Sequence, residues 1–208
     1  MRFLTAEQVN HLAQSTADPY GTLIYLMAYG GLRWGEAVAL RRSRCELLRS
    51  RIRVTESVSE VGGKLHFGPT KTWRNRDVII PQFLVERLAA HLARSVPHVD
   101  GFVFTSPRRL PEDNASGVGR PLRHSNFRKR VWMPATAATG LDGLRLHDLR
   151  HTTVALSIAE GAHPKAIQVL LGHSSIAVTM DLYGHLFPSD QEDLASRLDR
   201  RYQASLAV

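Results

Sequence analysis

The sequence predicts an α+β fold: a mainly α-helical domain with a small antiparallel three-stranded sheet near the N-terminal third. Three observations carry this. Apolar residues recur at helical spacing at both ends of the chain, the spacing changes to strand-like alternation between Ile52 and Ile80, and glycines stand where one pattern gives way to the other.

Thr5-Ala6-Glu7-Gln8 reads as a capping box, in which the Thr5 hydroxyl and the Gln8 amide satisfy free backbone groups at the start of a helix running through Val9 and Leu12. Tyr20 to Tyr29 reads as a second helix, stopped by Gly30-Gly31, and Glu36 to Leu40 as a short third. Ile52, Val54 and Val58 are then spaced as in strands, Gly62-Gly63 offers a turn, and Val78-Ile79-Ile80 forms another β-rich run. Leu84, Leu88 and Leu92 return to a helical stripe. Residues Pro107 to Pro121 read as a loop leading into a basic helix, followed by helices at His147–Ala159 and Pro164–Leu171, with Gly161 and Gly172 as stops and Ser174-Ser175 opening the next helix. A closing helical stretch runs from about Ser189 to Leu206. With 208 residues and 43% hydrophobic content, the chain has material for one substantial core. The expected organisation is a single domain over 1–188 and a helical tail over 189–208.

No apolar run approaches the length of a membrane span, and Met1-Arg2-Phe3-Leu4 lacks the apolar stretch of a signal peptide, so a cytoplasmic protein without membrane partners is expected. Cys45 is the sole cysteine, which excludes an internal disulfide and a thiolate zinc cluster. A formal charge of +8 points to a polyanionic partner, nucleic acid being the commonest. Two arginine-rich runs concentrate that charge: Arg41, Arg42, Arg44, Arg49, Arg51 and Arg53, then Arg120, Arg123, Arg128, Lys129 and Arg130. One such run is commonly a solvated face; two favour a phosphate-binding surface, for which the second run supplies the candidate DNA-binding residues.

Several short segments bear chemistry-capable residues: Gly31-Leu32-Arg33-Trp34-Gly35-Glu36, Thr70-Lys71-Thr72, His147-Asp148-Leu149-Arg150-His151, Leu171-Gly172-His173-Ser174-Ser175 and Tyr183-Gly184-His185. Taken singly, each has an ordinary explanation. Arg33 and Glu36 share a helical face and suit a surface ion pair. His147 and His151, four apart, have metal-ligand spacing, but Asp148 stands where a zinc-protease motif has glutamate and no third ligand is evident, so no metal is expected. His173 suits a helix end, Tyr183 a core aromatic, and Lys71 a solvated hairpin.

Together and in this order, the segments resemble the catalytic domain of the tyrosine recombinase, or phage integrase, family, from Phe3-Leu4-Thr5 through Leu186. The chemistry agrees. Phosphodiester transfer needs a nucleophile, a group to protonate the leaving oxygen, and cations around phosphorus. A tyrosine hydroxyl needs nearby cations or a base to attack at neutral pH, and guanidinium forks match phosphate oxygens. The resemblance implies Tyr183 as nucleophile and Arg33, Arg150 and His173 as the phosphate-stabilising set. It further implies Lys71 as the acid for the departing 5′ oxygen, His147 as the residue assisting proton movement at Tyr183, and Glu36 as support for Arg33. The implied activity is site-specific DNA recombination and integration through a 3′-phosphotyrosyl intermediate, without metal, ATP or other cofactor. The implied partners are double-stranded DNA and further copies of the protein, monomeric when free and tetrameric on DNA, with the tail docking on a neighbouring protomer. Ser43-Arg44-Cys45 departs from the acidic residue often found there, and a further DNA-binding domain is expected upstream. Two other readings stay open: a type IB topoisomerase-like enzyme using the same chemistry, and a DNA-binding regulator that does not cut.

Overall fold

A computed structural model describes residues 1–70, 75–94, 100–106, 119–187 and 191–206. The helices α1 (Ala6–Gln14), α2 (Tyr20–Gly30) and α3 (Trp34–Ala39) come first, followed by strands β1 (Cys45–Glu46), β2 (Arg51–Val54), β3 (Glu56–Val61), β4 (Lys64–Pro69) and β5 (Arg76–Ile79), and then α4 (Gln82–Arg94). A helical stretch α5 (His124–Phe127) passes through a π-helical turn, Arg128–Trp132, into α6 (Met133–Ala138). The chain continues through α7 (Leu146–Ala159), α8 (Pro164–Leu171), α9 (Ile176–Tyr183) and α10 (Gln191–Ser205).

The Thr5 capping box is present, with the Gln8 N–H donating to Thr5 Oγ1 at 3.2 Å and the Thr5 N–H donating to Gln8 Oε1 at 3.0 Å. α2 is apolar nearly all round and lies at the centre, packed against α1, α4 and α7. Leu23, Ile24 and Leu26 are fully buried there, and burial of each such side chain is worth about 1.5–3 kcal/mol. α2 ends at Gly31, whose φ of 64° is the left-handed cap conformation that a side chain disfavours. Thr153 of α7 donates to the Met27 carbonyl at 3.1 Å, fixing the crossing of the two helices.

The three-stranded antiparallel sheet has the order β1-β2-β5. In β2, Ile52 and Val54 face the core, while Arg51 and Arg53 reach Asp77 on the neighbouring β5. The Val58 run does not join this sheet. It pairs with β4 as a separate hairpin turned by Gly62-Gly63 at φ of 55° and 74°, two consecutive positive values that the tight turn requires. The third strand of the sheet is instead Cys45–Glu46, too short to show alternation in the sequence. Of the expected loop from Pro107 to Pro121, residues 107–118 lie outside those described.

The β3–β4 hairpin packs on α3, and contact is closest at Gly35, where an added Cβ would stand 2.4 Å from the Val58 carbonyl oxygen and 2.6 Å from Ser57 Oγ. Gly35→Ala should therefore destabilise the protein by about 1–3 kcal/mol through overpacking. Its melting temperature should fall by about 2–4 °C per kcal/mol. Circular dichroism melts measure this; an unchanged midpoint would show that the hairpin moves away from α3 at no cost.

Candidate active site

Arg33 occupies the N-cap of α3, with extended backbone angles set by the turn after Gly31. Glu36, one helical turn on, folds back to accept the Arg33 backbone N–H at 2.9 Å and Arg33 Nη1 at 3.0 Å. The same carboxylate receives both terminal nitrogens of Arg76 from β5, at 3.0 and 2.7 Å, in a bidentate pair. Glu36 is fully buried. Burial alone would raise its pKa, but the bonds and charge of Arg76, the Arg33 N–H and the nearby Arg150 outweigh this and hold the carboxyl at about 2, from an ordinary 4.5.

Arg150 projects from α7 and is itself buried. Its Nη1 donates to the carbonyl of Gly31, and its Nη2 to that of Leu171 at 2.6 Å. These carbonyls stand at the C-terminal ends of α2 and α8, where helix dipoles leave partial negative charge. Burial and then Arg33 push Arg150 down to about 9, with Glu36 acting the other way, so the guanidinium keeps its charge at neutral pH.

His173 follows Gly172, which ends α8, and its Nδ1 lies 2.9 Å from Thr179 Oγ1 of α9. Burial, then the charges of Arg150, Arg33 and Arg76, push this imidazole down to about 4. His147 opens α7 beside an exposed Arg145 N-cap, and Asp148 accepts the Arg145 backbone N–H at 2.9 Å. Asp148 thus caps α7. The His147 ring is open to solvent on one side, and the partial cover on its other side, then Arg150 and Arg33, lower its pKa.

Tyr183 ends α9 and is buried in a small second core with Val154, Ile158, Ile167 and Leu171. Its hydroxyl lies 2.7 Å from His151 Nδ1. Burial raises its pKa, against the lowering influence of Arg150 and Arg33. Arg33, Glu36, Arg150, His173 and Tyr183, spread over 150 positions of the sequence, therefore share one electrostatic neighbourhood. Lys71 lies outside the described residues, though the adjacent Thr70 is buried.

Two site residues escaped the sequence reading. Arg76 is mostly buried, donates to Glu36 and, through Nε, to the Leu170 carbonyl at 3.1 Å. The sequence offers no local signal for it, since its partners lie 40 and 94 positions away. His151 drew notice only as a possible metal ligand, whereas its position four residues after His147 places the two rings edge to face with centroids 4.7 Å apart.

The two basic runs also differ in availability. Arg41 pairs with Glu56, Arg42 donates to the Leu92 carbonyl, Arg49 and Arg53 pair with Glu46, and Arg51 and Arg53 pair with Asp77. In the second run, Arg123 pairs with Glu60 and donates to the Gly63 carbonyl, and Arg120 is exposed. Arg128, Lys129 and Arg130 are exposed around the π-helical turn and form no ion pair among the described residues.

The Glu36 geometry predicts acid sensitivity. Its folded pKa lies below its unfolded value, so its contribution to stability is present above about pH 4.5 and is lost as pH falls towards 2. At about 1.4 kcal/mol per unit, that contribution is roughly 3 kcal/mol. Glu36→Gln should lose this part of the acid dependence, and at pH 7 it should be less stable by about 3–5 kcal/mol because buried Arg76 loses its counter-charge. Urea unfolding of both proteins across this range tests it; parallel stability curves would refute the linkage.

The phage integrase family model matches residues 2–190. The chain is similar to the putative prophage phiRv2 integrase of Mycobacterium tuberculosis, 28% identical over 204 residues, an alignment covering 96% of this chain and 51% of that protein. It is similar to the integrase of Mycobacterium phage L5, 29% identical over 183 residues, covering 85% of this chain and 46% of that protein. The chain thus spans about half the length of the curated relatives it matches. In fold it is similar to the Tn1549 transposon integrase in complex with a circular intermediate DNA, at TM-score 0.73 and 16% identity over 96% of this chain and 65% of that one. The catalytic domain of bacteriophage HP1 integrase superposes at TM-score 0.62 with 22% identity, covering 94% of both chains. With the family model extending from the first helix to beyond Tyr183, this chain belongs to the phage integrase family.

Proposed function

We propose that the chain is the catalytic part of a site-specific DNA recombinase that breaks and rejoins strands through a 3′-phosphotyrosyl intermediate on Tyr183. The observation that supports this reading best is that a tyrosine hydroxyl and a histidine from separate helical regions share the field of the same two arginines, Arg33 and Arg150, the first of them held by the Glu36 carboxylate. In this scheme Arg33 and Arg150 hold the non-bridging oxygens of the scissile phosphate, where preorganised charge stabilises the transition state without reorganisation. Each terminal nitrogen of Arg150 gives one bond to a helix carbonyl and keeps a hydrogen for the phosphate. His173, neutral at ordinary pH, donates a hydrogen bond to the same group. The Tyr183 oxygen attacks phosphorus, the bond to the 5′ oxygen breaks, and Lys71 protonates that oxygen. His147, at the open end of α7, assists proton movement near Tyr183. The phosphotyrosyl bond conserves the energy of the broken linkage, so the 5′ hydroxyl of another strand can reverse the step without ATP.

Double-stranded DNA is the proposed substrate, approached by Arg120, Arg123, Arg128, Lys129 and Arg130, with the working protein in the cytoplasm. The proposed assembly on DNA is a tetramer of protomers that are monomeric when free. α10 supports this part, since Leu194, Leu198 and Tyr202 form an apolar stripe left exposed, with exposed Leu206 just beyond the helix end, which suits docking on a neighbouring protomer. Residues 189–208 are accordingly a separate tail following the catalytic domain of 1–188.

Incubation with nicked duplex DNA should yield a denaturant-resistant protein–DNA adduct. Tyr183→Phe should abolish the adduct while changing DNA affinity by only a few fold, because the hydroxyl serves chemistry and the charges serve binding. An adduct persisting in that variant would overturn the assignment. Deleting the chain from Ser189 onward should spare binding by single protomers but weaken assembly on a two-site duplex, read by light scattering. Equal assembly by the truncated protein would refute docking of the tail in trans.

A further inference from the structure

We infer that His151, directly after the arginine of the His147-Asp148-Leu149-Arg150 segment, is a catalytic residue that accepts the proton of the Tyr183 hydroxyl as that oxygen attacks phosphorus. The inference rests on the recombinase reading and deepens it, naming the group that takes the phenol proton directly, one helical turn from the assisting His147. Among the described residues, the hydrogen-bond partner of the Tyr183 hydroxyl is His151 Nδ1, at 2.7 Å, within the range for direct proton transfer. Both groups are buried, so water does not compete freely for the phenol proton. The two rings approach at a centroid distance of 5.8 Å and are tilted rather than stacked, as a hydroxyl-to-nitrogen bond requires.

The direction of that bond follows from the chemistry of the partners. A phenol is the stronger donor and a neutral imidazole nitrogen the stronger acceptor, so the hydroxyl donates and Nδ1 presents its lone pair, with the ring hydrogen on Nε2. Keeping the imidazole neutral is what its surroundings do. Burial and then the His147 ring push His151 down to about 4, with Arg145 and the chain's terminal amine acting the same way and Asp148 opposing them. At neutral pH the acceptor is therefore empty. Because the resting phenol is itself made less acidic by burial, proton transfer is unfavourable before attack and becomes favourable only as the oxygen gives its electron pair to phosphorus. The bond forming is Tyr183 oxygen to phosphorus, the bond breaking is phosphorus to the 5′ oxygen, and the phenol proton passes to His151 Nδ1. On rejoining, the phosphotyrosyl bond breaks and His151 returns the proton to Tyr183.

His147 is the competing candidate on the same helix. It is exposed at the helix start, and its ring meets His151 edge to face instead of the hydroxyl. A purely structural role for His151, holding the Tyr183 side chain in its pocket, is the other alternative, and the two can be separated.

The experiment follows phosphotyrosyl adduct formation on a nicked duplex selected by the wild-type protein from a randomised pool. His151→Ala should form adduct about a hundredfold more slowly or worse, the usual range for loss of a general base, while binding the duplex within a few fold of wild type. Added imidazole should restore part of the rate in proportion to its unprotonated fraction. A ring fluorine on Tyr183, which makes the phenol more acidic, should shrink the deficit. His151→Asn, which keeps an oxygen acceptor beside the hydroxyl but cannot take the proton, should lose as much as His151→Ala and guards against a variant that fails to fold. Near-normal adduct formation by His151→Asn would overturn the inference, as would a deficit in a folded His151→Ala protein that neither imidazole nor fluorination moves. Absence of adduct in the wild-type protein would instead overturn the recombinase reading itself, and this inference with it.

Discussion

One buried carboxylate, that of Glu36, organises the site. Three guanidiniums lie around it: Arg33 and Arg76 bond it directly, and Arg150 acts on it through space. Removing charges from water costs several kcal/mol per ion, so such a cluster is weak evidence for stability. Its consequence is geometric. Glu36 holds Arg33 at the mouth of α3, and Arg76 carries the same anchor across β5 to the Leu170 carbonyl near the end of α8. Without the anion, the guanidiniums would repel one another and the helix ends they join would separate.

Arg150 is accommodated by a different means. Among the described residues no carboxylate bonds it, and it is held by the carbonyl ends of α2 and α8, two helix termini that each carry partial negative charge. The positive field that remains after these compensations falls on His173, His147 and Tyr183. It adds to burial in lowering the pKa of both histidines and opposes the effect of burial on the phenol. A site assembled to receive a phosphate should have this character: surplus positive potential restrained by fixed dipoles, which an incoming anion can take up without reorganising the protein.

The readable parts of the fold were those with local causes. The Thr5 capping box, the helix stops at Gly31 and Gly172, and the Gly62-Gly63 turn each follow from residues within a few positions of one another. The sheet was legible as three antiparallel strands, but its membership was not. The pairing of Cys45–Glu46 with β2 is set by two short 3-10 turns rather than by any pattern of apolar residues. At the site, Arg33, Glu36, Arg150, His173 and Tyr183 carried a recognisable order, whereas Arg76 and His151 did not. Arg76 acquires its role from an acid on another element, and His151 from a hydroxyl 32 positions away, and neither relation leaves a periodic trace.

Charge illustrates the same divide between composition and placement. A net charge of +8 identifies an attraction for polyanions but does not say where it acts. In the arginine run from Arg41 to Arg53, alternation along β2 turns Arg51 and Arg53 to one face, where Asp77 and Glu46 meet them, and Arg41 is drawn to Glu56. Neutralised side chains of this kind contribute little to counterion release, because a phosphate would first have to displace a carboxylate. Arg128, Lys129 and Arg130 are presented differently, on a π-helical turn whose inner side is pinned by Phe127 and by Trp132 bonded to the Leu144 carbonyl. The widened turn spreads three consecutive cations around the helix while its aromatic residues remain buried. The Trp132–Leu144 bond also ties this basic surface to the segment entering α7, so the three cations and the helix that bears Arg150 are held in a fixed relation.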